Sequence, residues 1–220
     1  RLSNTSSSWL PLNWPCSRKE EEMLVIERMS RPPSTIAREA TVEDALSILA
    51  EKKQRHLPVL DAEENLVGIV SEKDLLRASH EEPIEKVMTQ PVITVTEYTA
   101  LEDAARIMAD HKISSLPVMR DDRLVGIITE TDLFLIFLEL LGAREVGVRL
   151  TMLVPEEKGI LASLTSEIAQ MGGNIVALST FRGEDPTNRM VTAKVSDAPT
   201  DKLVAIMEAL GMEIVDVREG

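Results

Sequence analysis

Leu66-Val67-Gly68-Ile69-Val70-Ser71-Glu72-Lys73-Asp74-Leu75 is written a second time as Leu124-Val125-Gly126-Ile127-Ile128-Thr129-Glu130-Thr131-Asp132-Leu133. Each copy reads as an apolar strand running into a helix, with a hydroxyl residue at the junction and a carboxylate three residues on. Upstream, Val42-Glu43-Asp44-Ala45 returns as Leu101-Glu102-Asp103-Ala104, His56-Leu57-Pro58-Val59 as Ser115-Leu116-Pro117-Val118, and Arg28-Met29 as Val87-Met88. The spacing is 59 residues until the turn before Gly68 and 58 after it, so the second copy is one residue shorter in that turn. A deletion there leaves the flanking strands in register.

The composition narrows the possible partners. With a formal net charge of -13, the chain has no basic field to gather nucleic acid or anionic lipid. Its 220 residues, 44% hydrophobic, are enough for a sizeable core, and no apolar run approaches the ~18 residues that span a bilayer. A single cysteine, Cys16, leaves no internal disulfide framework or thiolate zinc cluster. A cytoplasmic setting is expected.

Residues 1–22 stand apart, holding both tryptophans, Trp9 and Trp14, the lone cysteine and a Ser6-Ser7-Ser8 run with no sustained period. They read as a leader outside the native chain, an upstream extension of the reading frame before Met23, or as a disordered tail. From Met23 the first copy is expected to run from a short strand at Ser34-Thr35-Ile36 to a helix from Thr41. A hairpin of Leu57–Leu60 and Leu66–Val70 and a helix from Ser71 follow. The second copy repeats this plan, with a strand at Val92–Val95 and a helix carrying Leu101, Ala104, Ile107 and Met108. Its last helix, Thr131 to Leu141, is apolar all round and is expected to be buried on several sides, between domains or in a homodimer contact.

The paired copies, with their Pro-Val and Gly-apolar-apolar-Ser/Thr-x-x-Asp motifs, resemble a pair of CBS domains, a Bateman-type module. The resemblance puts the pair at residues 23–141, with repeats at about 24–79 and 83–141. After Gly142 the order changes to strand, helix, strand, strand, helix, strand over residues 146–220, with Gly172-Gly173 ending the first helix and Gly183 through Asn188 making the middle turn, the βαββαβ split of ferredoxin-like folds. Glu156-Glu157-Lys158-Gly159-Ile160-Leu161 with Gly173-Asn174-Ile175 is similar to an ACT domain, departing from that pattern where Asp and Pro-Gly are usual. The expected fold class is therefore α+β, and a CBS pair followed by ACT resembles the acetoin-utilisation regulatory proteins.

Ser71 with Asp74 and Thr129 with Asp132 allow two readings. A hydroxyl and a third-position carboxylate cap a helix start; the same groups can also hold a phosphate and accept from a ribose diol. In the CBS family such positions contact adenosine nucleotides. That resemblance adds Thr35, Ile36, Thr94 and Val95 near the base of the pocket and His56 and Ser115 before the Leu-Pro-Val strands, with His56 either a phosphate partner or a surface residue. Arg55, Lys53, Lys112 and Arg123 are further sources of charge. The ACT resemblance implies an amino-acid ligand near Glu156, Lys158, Gly159, Ile160, Asn174 and Ile175.

No nucleophile elbow, metal-binding histidine pair or Walker loop is present, and no cofactor, catalytic residue or metal site is expected. The expectation is a homodimeric ligand sensor without catalytic activity. The competing reading is an interaction adaptor with vestigial clefts.

Overall fold

A computed structural model describes residues 23–182 and 187–220; the leader at 1–22 and most of the turn expected at 183–188 lie outside the described residues. The described residues divide into two compact units, the first ending at Glu130 and the second beginning at Thr131.

In the first unit a short helix α1 (Val25–Arg28) precedes β1 (Ile36–Ala37), α2 (Val42–Lys52), β2 (His56–Leu60), β3 (Leu66–Ser71) and α3 (Glu72–Leu75). Another short helix, α4 (Ile84–Val87), precedes β4 (Val95–Thr96), α5 (Leu101–His111), β5 (Ser115–Arg120) and β6 (Arg123–Thr129). Two three-stranded sheets result, ordered β1-β2-β3 and β4-β5-β6, each with one parallel and one antiparallel pairing. Val42, Ala45 and Leu49 form the buried face of α2, and Leu101, Ala104 and Met108 form that of α5. The repeats match in detail. Both helices end on a left-handed lysine, Lys53 or Lys112, both hairpins shift register after the Pro-Val pair, and Arg31-Pro32 and Gln90-Pro91 are both cis.

The residue missing from the second copy lies where the β2–β3 turn closes on Asp61. That side chain accepts from the Glu63 and Asn65 amides at 3.1 and 2.8 Å, an Asx-type turn that the tighter β5–β6 connection lacks room for.

The two copies are laced together by their leading segments. Residues around α1 pair with the second copy: Val25 N–H donates to Thr99 C=O and Ile26 N–H to Glu97 C=O, while Ser30 bridges Ile127. Residues around α4 return the arrangement onto the first copy: Ile84 N–H donates to Ala40 C=O, Glu85 N–H to Arg38 C=O, and Thr89 bridges Ile69. Met88 packs against Gly68 and Met29 against Gly126 so closely that a Cβ on either glycine would collide with the sulfur. The two glycines of the repeated motif are thus seats for side chains from the other copy's arm.

The second unit begins in α6 (Glu130–Leu140) and continues as β7 (Val148–Pro155), α7 (Ile160–Gln170), β8 (Asn174–Arg182), β9 (Asn188–Ser196), α8 (Thr200–Ala209) and β10 (Glu213–Glu219). The strands form one antiparallel sheet ordered β10-β7-β9-β8, as the βαββαβ split requires. Leu150, Met152 and Val154 of β7 and Val191, Ala193 and Val195 of β9 pack with Leu164, Ile168, Leu203 and Met207 of the helices. Within the single chain Ile136 is the buried apolar residue of α6, whereas Phe134, Leu135, Phe137 and Leu140 remain between 45% and 58% exposed. Hydrophobicity states a preference for burial without supplying the surface that satisfies it.

Candidate functional site

Ser71 ends β3 with extended backbone and becomes the N-cap of α3, which turns Asp74 back beneath it. The Ser71 hydroxyl donates to Asp74 Oδ2 at 2.5 Å and its amide donates to the same oxygen at 3.2 Å; the Asp74 amide donates to Ser71 Oγ at 3.3 Å. This is a complete capping box. Only one carboxylate oxygen is used, so Oδ1 keeps its acceptor capacity among the described residues.

This corner forms one wall of a cavity of about 280 Å³. His56 at the start of β2 stands opposite Ser71 in the hairpin register and also lines it. The other wall comes from the second copy: Thr89 and Pro91–Ile93 ahead of β4, then Lys112, Ser114 and Ser115 at the end of α5 and the start of β5. Leaving the helix through a left-handed backbone, Lys112 turns the chain sharply enough to bring Ser114 back to the cavity. His56 Nε2 and Ser114 Oγ share a hydrogen bond of 2.8 Å. Burial pushes the His56 imidazole below its ordinary pKa; the carboxylates of Asp74 and Glu130 work against this, and Arg55 adds to it.

The cavity thus combines an acidic acceptor, three serine hydroxyls, an imidazole and one ammonium with an apolar floor of Ile69, Val92 and Ile93. Such a site suits a ligand with a flat or apolar body, vicinal hydroxyls and a weakly anionic or neutral end.

Among the sequence-derived candidates, the cavity joins His56, Ser71, Asp74 and Ser115. Thr94 and Val95 line a larger open groove of about 1160 Å³ that shares Pro91 and Val92 with it. Thr35 leads into β1, and Ile36 is buried in the core of the first copy beside Val59. Thr129 stands opposite Ser115 at the end of β6, and Asp132 lies in the first turn of α6. Ser114 and residues 89–93 were not among the candidates. Ser114 had a signal in its place beside Ser115, but its repeat counterpart is Arg55, which obscures it.

In the second unit Glu156, Gly159 and Ile160 line a cavity of about 210 Å³, whereas Lys158, Asn174 and Ile175 are not among its lining residues. Arg189, which sequence reading did not select, lines it too and donates to both Glu156 oxygens at 2.7 and 2.9 Å. The carboxylate is therefore engaged by a planar bidentate partner.

Among the described residues no cluster of three or more His, Cys, Asp or Glu is placed to hold a metal, and no helix is long and apolar enough to cross a membrane.

The CBS domain model matches residues 23–81 and 84–139. The chain is 35% identical over 117 residues to inosine-5'-monophosphate dehydrogenase of Nitrosopumilus maritimus, covering 51% of this chain and 25% of that protein. It is 35% identical over 117 residues to L-aspartate semialdehyde sulfurtransferase of Methanocaldococcus jannaschii, covering 52% and 23%. The chain thus spans about a quarter of the length of these relatives. Among solved structures, the CBS domain pair of protein MJ0100 in complex with 5'-methylthioadenosine and S-adenosyl-L-methionine is 34% identical, with a TM-score of 0.51 over 56% of this chain and 98% of that one. A Vibrio cholerae protein named for acetoin utilization (AcuB) is 39% identical, with a TM-score of 0.50 over 56% and 95%. The chain belongs to the CBS-domain family and carries two such domains in tandem.

Proposed function

We propose that this chain is a regulatory protein that senses an adenosine ligand in the cavity between its two CBS copies. The observation that carries this reading is the Ser71–Asp74 corner facing Ser114, Ser115 and His56 across a nucleoside-sized space. The free Asp74 oxygen would accept from the ribose diol, the apolar residues would hold the purine, and Lys112 with the serine hydroxyls would meet the 5' substituent. The presence of 5'-methylthioadenosine and S-adenosyl-L-methionine with the related MJ0100 pair supports it. Because the two walls belong to different copies, a ligand that fits one relative orientation better than another shifts the population by that difference in affinity.

In this reading the CBS module takes residues 23–141, and residues 146–220 form an ACT-like module that relays the signal or takes a second effector, an amino acid near Glu156, Gly159 and Ile160. The Arg189 guanidinium supplies a partner for a ligand carboxylate if Glu156 releases it. The protein would act in the cytoplasm as a homodimer without catalytic activity of its own. Acetoin metabolism is one setting consistent with the likeness to the Vibrio cholerae protein.

The test is a thermal-shift panel of AMP, ADP, ATP, 5'-methylthioadenosine and S-adenosyl-L-methionine on the full chain, beside the Asp74→Ala variant. Ligand binding to the native state raises the melting temperature by mass action. A rise that the variant loses supports the sensor; no rise with any ligand, in folded protein, favours an adaptor that uses its surfaces alone.

A further inference from the structure

The face of the C-terminal sheet turned away from α7 and α8 carries an ordered charge pattern that the adenosine cavity does not use. Alternation along β7 sends Leu150 and Met152 to the helices and Arg149 and Thr151 to the opposite face. The register then sets Arg218 of β10, Arg149 of β7 and Lys194 of β9 side by side on that face. The row two residues further along holds Asp216, Thr151, Thr192 and Ser179.

Like charges directly opposite on neighbouring strands repel. Arg218 is answered by Asp216 at 2.8 Å. Arg149 and Lys194 have no carboxylate partner among the described residues, and Lys194 is only 9% exposed although it carries a charge. Its stem is held down by the chain at Gly142, where an added Cβ would stand 3.6 Å from Lys194 Cδ. Thr192 beside it is 8% exposed, and its hydroxyl meets that of Thr151 at 3.4 Å, a long contact that leaves hydrogen-bonding capacity on both. A sheltered ammonium and an adjacent guanidinium, neither with a carboxylate partner among the described residues, beside the hydroxyls of Thr151, Thr192 and Ser179 form the donor set that an oxyanion completes; Asp216 at the end of that row is engaged by Arg218.

We propose that this face binds a small oxyanion, the phosphate or carboxylate group of a metabolite, across Arg149 and Lys194, with the hydroxyls of Thr151, Thr192 and Ser179 as further donors. The site is distinct from the adenosine cavity and draws on none of the same residues.

Isothermal titration calorimetry of the full chain with inorganic phosphate and, separately, with glutarate, each against chloride at matched ionic strength, tests this. Binding of either anion beyond the chloride background is expected, and the stronger arm names the group. Arg149→Gln should weaken it about 10- to 100-fold, the loss of one charge-assisted contact. Lys194→Met should do the same, while Lys194→Arg retains binding and Asp74→Ala leaves it unchanged. Because Arg149 is exposed, its variant should fold even if Lys194→Met does not. Absence of specific heat with both anions overturns the proposal, as does binding that Arg149→Gln leaves intact. An acidic protein segment as the true occupant would show itself as the first of these results. Loss of adenosine binding alone would leave this proposal standing, and its failure would leave the adenosine reading standing.

Discussion

His56 of the first CBS copy and Ser114 of the second are joined by a 2.8 Å hydrogen bond inside the cavity. A ligand entering there meets a contact that already ties the two copies together, and the imidazole half of that contact is held below its ordinary pKa chiefly by burial. When the chain unfolds, His56 recovers an ordinary value of about 6.5. The unfolded state therefore binds the extra proton first. Stability from this residue is complete above that range and declines as pH falls through it towards the folded value. Urea denaturation at pH 7.5 and pH 5.5 should show a loss on acidification that is smaller in His56→Gln; an equal loss in both would remove His56 as the cause.

The capping box at Ser71 has a twin at Thr41, whose hydroxyl and amide both engage Asp44 in the same way. Thr41 is not among the residues lining the cavity, so the pair separates stability from binding. Ser71→Ala and Thr41→Ala should each cost about 0.5–2 kcal/mol of stability, the usual loss for an N-cap. Only Ser71→Ala should also reduce the ligand-induced rise in melting temperature, measured by differential scanning fluorimetry.

Glu97 is almost fully buried and receives two hydrogen bonds, 2.8 and 2.5 Å, from the much more exposed Arg120. That guanidinium holds the Glu97 carboxyl below the usual carboxylate range, against the opposing effect of burial. The pair's contribution is present at neutral pH and is lost as pH falls through the carboxylate range. Removing the exposed partner strands a buried charge, whereas removing the buried one frees a cation that water can solvate. At neutral pH Arg120→Ala should therefore destabilise more than Glu97→Gln, and its penalty should shrink on acidification as Glu97 takes up a proton. Chemical denaturation of both variants at pH 7 and pH 4 checks the order and the convergence.

Much of the fold was legible because local signals agreed. Thr41 and Asp44 announced the start of α2, Gly172 with φ +83 ended α7, and the doubled Gly-x-x-Ser/Thr-x-x-Asp motif announced the repeat. What escaped depends on contacts distant in sequence. Helices α1 and α4 have four residues each, too few to form on their own, and exist because the opposite copy receives them. Gly68 and Gly126 of the repeated motif seat Met88 and Met29, partners that the strand pattern around them does not name.

The same division runs through the candidate site. Ser71 and Asp74 are three residues apart and could be paired on paper, but Lys112 and Ser114 join them only through the pairing of the two copies. Arg189 lies 33 positions from Glu156 and reaches it because β9 runs beside β7. The apolar residues of α6 show the opposite limit, since composition asks for burial there and within the single chain Ile136 alone of that helix finds it.

Recognition of the ribose by Asp74 is what would make the cavity an adenosine site. The most direct measurement is calorimetric titration of the full chain with the adenosine ligand giving the largest thermal shift and with its 2'-deoxy analogue, repeated on Asp74→Ala. The wild type is expected to prefer the ribose form by about 10- to 100-fold, as for hydrogen bonds to a charged group, and Asp74→Ala to bind the two forms alike and weakly. Equal affinity of the wild type for both forms, or a preference that survives in Asp74→Ala, would contradict that recognition.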